Sequence, residues 1–102
     1  MDKASVIANL EREWDFESGF FGGLRLGQFD RASLNRLIRT LALIDPQGEV
    51  VMNRRVVSLL WYMPIFMGWQ IDRVREAGGD AAEFDRAITQ VQNSVERILG
   101  VP

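Results

Sequence analysis

Apolar residues recur at intervals of three and four along most of this 102-residue chain, which is the spacing of one helix face. The clearest run, near the C-terminus, consists of Phe84, Ile88, Val91, Val95 and Ile98. Asp80 is the predicted N-cap, with Glu83 three residues later as in a capping box, and Gly100 is placed to end the helix. So narrow a seam packs either within the chain or, alternatively, in a homodimer.

Two earlier helices follow from the same spacing. The first is predicted over about residues 3–14, and the second, with Asp30 as N-cap, over 31–44. The second must end near Asp45–Pro46, because a residue before proline avoids the α region. Residues 50–52 show no clear period, so they are either an extended link or an early helical turn.

A third helix, capped by Asn53, is predicted over residues 54–77. It is apolar on nearly all sides as far as Gln70, which is typical of a helix in the middle of a domain. Pro64 lacks a backbone N–H and should kink or split it. Gly78–Gly79 should end it.

The sequence therefore predicts a single all-α domain over residues 1–102. Its expected form resembles a four-helix bundle, with a Gly/Phe-rich loop between helices 1 and 2 and a Pro-kinked third helix. The longest apolar stretch is too short to span a membrane, and the N-terminus lacks the pattern of a signal peptide. We expect a soluble, cytoplasmic protein.

The composition removes the common catalytic groups. The chain has no cysteine and no histidine, so thiolate chemistry, disulfides and the usual zinc ligands are excluded. Two pairs of carboxylates four residues apart, Glu11 with Asp15 and Glu13 with Glu17, have the helical spacing of a shared divalent-ion site, but no second carboxylate helix accompanies them. The glycine spacing fits neither of the two common phosphate-binding motifs. We expect a protein that is not an enzyme and has no cofactor.

The Gly/Phe segment, Trp14–Phe29, is the most unusual part of the sequence. It contains five of the ten aromatic residues and four of the nine glycines. Its phenylalanines either close one end of the bundle or leave Phe20 or Phe21 exposed as an anchor for a partner. Four acidic residues at its start would then attract a basic protein. The candidate partner-binding residues are Glu11, Glu13, Asp15, Glu17, Phe20 and Phe21.

Two other groups of residues allow an interpretation. The aromatic residues of the third helix are expected in the core, with Trp69 the best candidate for partial exposure; they are Trp61, Tyr62, Phe66 and Trp69. Five arginines could form a nucleic-acid-binding face; they are Arg31, Arg36, Arg39, Arg54 and Arg55. The net charge of −2 counts against nucleic acid as a partner.

The segment FESGFFGGLRLGQFD, followed by a helix, and the closing ERILGVP resemble small helical immunity proteins of bacterial polymorphic and contact-dependent toxin systems. The resemblance implies a cytoplasmic, non-enzymatic protein that neutralises one toxin by direct binding. A basic toxin domain would complement the acidic residues named above. The alternatives are a helical adaptor or homodimeric scaffold and, third, an arginine-face nucleic-acid binder.

Overall fold

Helices form the architecture of the computed structural model, which describes residues 2–48 and 53–102. They are α1 (Lys3–Trp14), α2 (Phe20–Leu24), α3 (Arg31–Ala42), α4 (Arg54–Trp61), α5 (Met63–Trp69), α6 (Ile71–Glu76) and α7 (Ala81–Leu99). No strand occurs in these two ranges, which confirms the all-α prediction. The predicted alternatives for residues 50–52 lie outside the described residues.

The predicted helix starts are confirmed by their capping hydrogen bonds. The Asp30 carboxylate accepts from the Ser33 N–H at 3.1 Å, and the Asp80 carboxylate accepts from the Glu83 N–H at 3.0 Å. The Asn53 side chain accepts from two N–H groups at the start of α4. Gly100 ends α7 with φ +85°, a conformation that favours glycine.

The third predicted helix, residues 54–77, is divided in the structure into α4, α5 and α6. The first division falls at Tyr62, and Pro64 lies in the first turn of α5, where a missing N–H breaks no intrahelical bond. A second division, at Gln70, was not predicted. All three short helices contact α7, so this part of the chain follows the long C-terminal helix. That Pro64 causes the first division stays a prediction.

Helix α2 lies within the Gly/Phe segment, where the sequence predicted a loop. It packs closely against the end of α1, because two glycines leave room for the backbone. A Cβ at Gly19 would overlap the carbonyl oxygen of Glu13, and one at Gly22 would overlap that of Asp15. These positions therefore require glycine for close approach.

Four of the five residues of the apolar seam of α7 are buried inside the chain, and the fifth, Ile88, is partly buried. Phe84 and Val91 are fully buried, and Val95 and Ile98 nearly so. Helix α7 packs against α3, α5 and α6, so these elements cover the seam. It is therefore not available as a homodimer surface in this structure.

Gly22 provides a test of the contact between α1 and α2. We expect Gly22→Ala to lower the free energy of unfolding by about 1–3 kcal/mol, because the added methyl forces two backbones apart. Gly23→Ala is the matched control: a Cβ there would meet Gln28 at an ordinary 3.5 Å. Since alanine favours helix, the control should be neutral or stabilising by up to about 1 kcal/mol. Equal effects of the two variants in urea unfolding would contradict this account.

Candidate functional site

Glu13, predicted to contact a partner, is fully buried instead. Its carboxylate accepts two hydrogen bonds from the Arg36 guanidinium, from Nε at 2.9 Å and from Nη2 at 2.7 Å. It also accepts from the backbone N–H of Phe20 at 3.2 Å. One side chain thus joins α1, α2 and α3, and it cannot reach a partner.

The Arg36 side chain completes this arrangement from α3. Besides its two bonds to Glu13, its Nη2 donates to the carbonyl oxygen of Ser18 at 3.3 Å. The hydrogen bonds that Arg36 donates to Glu13 raise the pKa of Arg36 above its ordinary value, and partial burial opposes this only in part. Arg36 is therefore a fixed cation with a structural role.

The other three predicted acidic residues remain at the surface, but two are engaged within the chain. Glu11 pairs with Arg55 at 2.9 Å. Asp15 accepts from the backbone N–H of Ser18 at 2.9 Å, from its hydroxyl at 2.8 Å and from the Glu17 N–H at 3.1 Å. The Ser18 backbone hydrogen bond is the main reason that the pKa of Asp15 is lowered. The groups that donate to Asp15 are neutral, so its charge is not cancelled as that of Glu11 is, and Asp15 and Glu17 form the acidic surface that a partner could meet.

Phe20 and Phe21 lie in the core, so neither is placed to anchor a partner. Their relative exposures are 2% and 0%. Phe21 stacks on Trp14 with ring centroids 4.2 Å apart, and Phe20 contacts Phe21 and Phe29 edge to face. Of the two alternatives derived from the sequence, the structure matches the one in which they fill the domain interior.

A different set of aromatic side chains is exposed on α4 and α5. Trp61 is 51% exposed, Ile65 41% and Trp69 65%. They occur every fourth residue, and Tyr62 contacts both tryptophans edge to face, with centroids 5.5 and 5.6 Å away. We call Trp61, Tyr62, Ile65 and Trp69 the aromatic face.

The aromatic face corrects part of the sequence prediction. Phe66 is buried as expected, and the predicted exposure of Trp69 is confirmed. The prediction that Trp61 lies in the core is wrong. The hydrophobicity of the segment concealed the difference, because almost every position in it is apolar. The four-residue spacing of Trp61, Ile65 and Trp69 was the signal that could have placed them together on one side.

An open groove of about 340 Å³ adjoins the aromatic face. Its lining residues are Trp14, Arg25, Arg55, Ser58, Leu59, Trp61 and Tyr62. The Trp14 indole N–H donates to the Leu59 carbonyl oxygen at 3.2 Å, which fixes the indole against the C-terminal part of α4. The Arg25 guanidinium carbon lies 5.5 Å from the Phe66 ring centroid, a cation–π distance.

The predicted arginine face is largely neutralised within the chain. Arg31 pairs with Glu83, Arg36 with Glu13 and Arg55 with Glu11. Of the five arginines proposed for phosphate contacts, Arg39 and Arg54 form no ion pair among the described residues. Three of the five arginines of this face are thus paired within the chain, which makes this interpretation weaker.

No group of three or more acidic side chains in residues 2–48 and 53–102 is arranged to hold a metal ion. Within the same part of the chain, none of the helices combines the length and apolar character needed to cross a bilayer. Comparison with family models, curated proteins and solved structures found no match.

The buried position of Glu13 generates a stability prediction. We expect Glu13→Gln to lower the free energy of unfolding by about 2–4 kcal/mol, because it removes the charge that Arg36 faces and sets an amide donor against its N–H groups. Glu17→Gln, at an exposed carboxylate of the same segment, should change it by less than about 0.5 kcal/mol. Thermal and urea unfolding of both variants measure the difference. Similar small losses for the two would show that the pair is not a structural element.

Proposed function

We propose that this protein is a non-catalytic protein-binding protein and that the aromatic face is its main contact surface. The observation that carries the proposal is the pair Trp61 and Trp69, each more than half exposed, in one row with Ile65. Tryptophan is enriched among the residues that dominate binding energy. Contiguous exposed apolar patches commonly mark contact sites on soluble proteins.

In this proposal the chain is a four-helix-bundle-like scaffold whose third arm, α4 to α6, is bent at Pro64. The bent arm presents the aromatic face, while the Gly/Phe segment supports it from inside. Trp14 contacts Phe21, Phe66 and Tyr62, so buried rings lie directly behind the exposed ones. Such support keeps the exposed rings in place before binding, which lowers the entropy lost on association.

Gly68 gives independent support. It is an exposed residue within α5, between Ile65 and Trp69 along the helix. A Cβ there would meet no atom within 4 Å, so packing inside the chain does not require glycine. Glycine in a helix costs about 1 kcal/mol relative to alanine. A bare backbone beside the tryptophans suits close approach by a partner.

The resemblance noted above supports a particular partner, a toxin domain that the protein would neutralise in the cytoplasm as an immunity or antitoxin-type protein. A basic toxin would be attracted by Asp15 and Glu17 and held by the aromatic face. Glu13, Phe20 and Phe21 have no direct part in this contact, and Glu11 would first have to leave Arg55. A helical adaptor would use the same aromatic face with another partner.

Binding can be tested by capturing the partner from the native strain with tagged protein. We expect the Trp61→Ala/Trp69→Ala double variant to bind the captured partner at least about 30-fold more weakly, because it removes two large anchors. Leu43→Ala is the control, since Leu43 is exposed to 66% at the C-cap of α3, outside the aromatic face. Both variants should keep the cooperative unfolding of the parent protein. Unchanged affinity of the double variant would reject the aromatic face as the contact surface.

Neutralisation needs a separate experiment, with a toxin domain encoded beside this gene. Co-expression of the parent protein should restore growth, and the Leu43→Ala variant should do the same. The double tryptophan variant should not, because it cannot hold the toxin. If no toxin gene adjoins this gene and co-expression restores no growth, the immunity interpretation fails and the adaptor remains.

A further inference from the structure

We infer that the groove beside the aromatic face receives an acidic side chain of the partner, an Asp or Glu that is next to an aromatic or aliphatic residue. This inference rests on the proposed function, which it deepens by specifying the chemistry that the partner presents. It is carried by the composition of the groove and by the state of its two arginines.

The groove combines apolar walls with positive charge. Trp14, Leu59, Trp61 and Tyr62 provide the apolar surface, and its lining includes two arginines but no acidic residue. Its volume of about 340 Å³ is near the lower end of the range for binding pockets, which suits one large side chain and its neighbour better than a folded domain. The groove therefore favours an apolar group with an attached or adjacent anion.

The two arginines differ in what they already bind. Arg55 is paired with Glu11, whereas Arg25 forms no ion pair with any described residue. The exposed Arg25 guanidinium lies over the Phe66 ring, and its own carbonyl oxygen accepts from Arg73 Nη1 at 3.0 Å. The backbone of Arg25 is fixed by the hydrogen bond from Arg73 and its guanidinium by the Phe66 ring. Among the described residues, Arg25 is therefore an unpaired cation with a defined position at the groove.

A carboxylate is the anion that matches Arg25 in a protein partner. A guanidinium can donate two parallel hydrogen bonds to a carboxylate, and its planar face can remain on an aromatic ring meanwhile. The residue beside that carboxylate would cover Trp61 and Tyr62. A partner that is basic as a whole can still provide one such residue, because the selection acts on a short segment.

The test uses two blocked tetrapeptides, acetyl-Ala-Phe-Glu-Ala-amide and its Gln counterpart. The readout is the side-chain N–H signals of the three tryptophans in ¹⁵N-labelled protein. We expect the Glu peptide to shift the signals of Trp14 and Trp61 and to bind about threefold more tightly than the Gln peptide at low salt. Arg25→Gln should abolish this preference, and Arg39→Gln, at an exposed arginine of α3, should keep it.

Equal binding of the two peptides, or a preference that survives Arg25→Gln, would overturn the inference. Tighter binding of acetyl-Ala-Ala-Phe, with its free terminal carboxylate, would overturn the assignment to an acidic side chain. Neither result touches the proposed function if the double tryptophan variant still loses the captured partner. The opposite result is also possible: peptide binding depends on Arg25, but the double tryptophan variant binds the captured partner as well as the parent protein does. That result would support the groove as an acidic-residue site and reject the aromatic face as the contact surface.

Discussion

The buried Glu13 carboxylate is the contact on which the rest of this structure depends. A charge removed from water is tolerated only when its partners satisfy it, and here Arg36 and the Phe20 N–H do so. Gly19 and Gly22 let α2 approach α1 closely, which brings the Phe20 N–H to the carboxylate. The acidic and glycine-rich features of the Gly/Phe segment are thus parts of one structural arrangement.

A series of aromatic contacts connects this buried arrangement to the aromatic face at the surface. Trp14, one residue after Glu13, stacks on Phe21 inside the domain and meets the edge of Phe66 on α5. Phe66 contacts Tyr62, which contacts both exposed tryptophans. Helix α2, which supports Phe21, therefore also supports the surface proposed to bind a partner. The Gly/Phe segment contributes to that surface from behind.

The sequence was informative where local chemistry decides the outcome and silent where distant contacts do. Asp30, Asn53 and Asp80 cap helices through groups within three residues, so their positions could be predicted. Glu11 and Glu13 look alike in the sequence, yet only Glu13 meets an arginine in the interior, through a contact that spans 23 residues. Trp61 and Phe66 likewise look alike in the sequence, and they differ in burial only because opposite sides of α4 and α5 face the solvent and the core.

Trp61 and Trp69 have no evident purpose in holding the chain together, which is why they bear on function. Phe66 and Met67 of the same segment are buried in the core, whereas the tryptophans leave more than half of their surface in water. Large exposed rings promote unwanted association, so a row of them is a liability unless a partner covers it. Gly68 lies in the same region and gives up helix stability without relieving any contact. Two features that each work against an isolated domain, the exposed tryptophans of α4 and α5 and the glycine within α5, thus support the proposed contact surface.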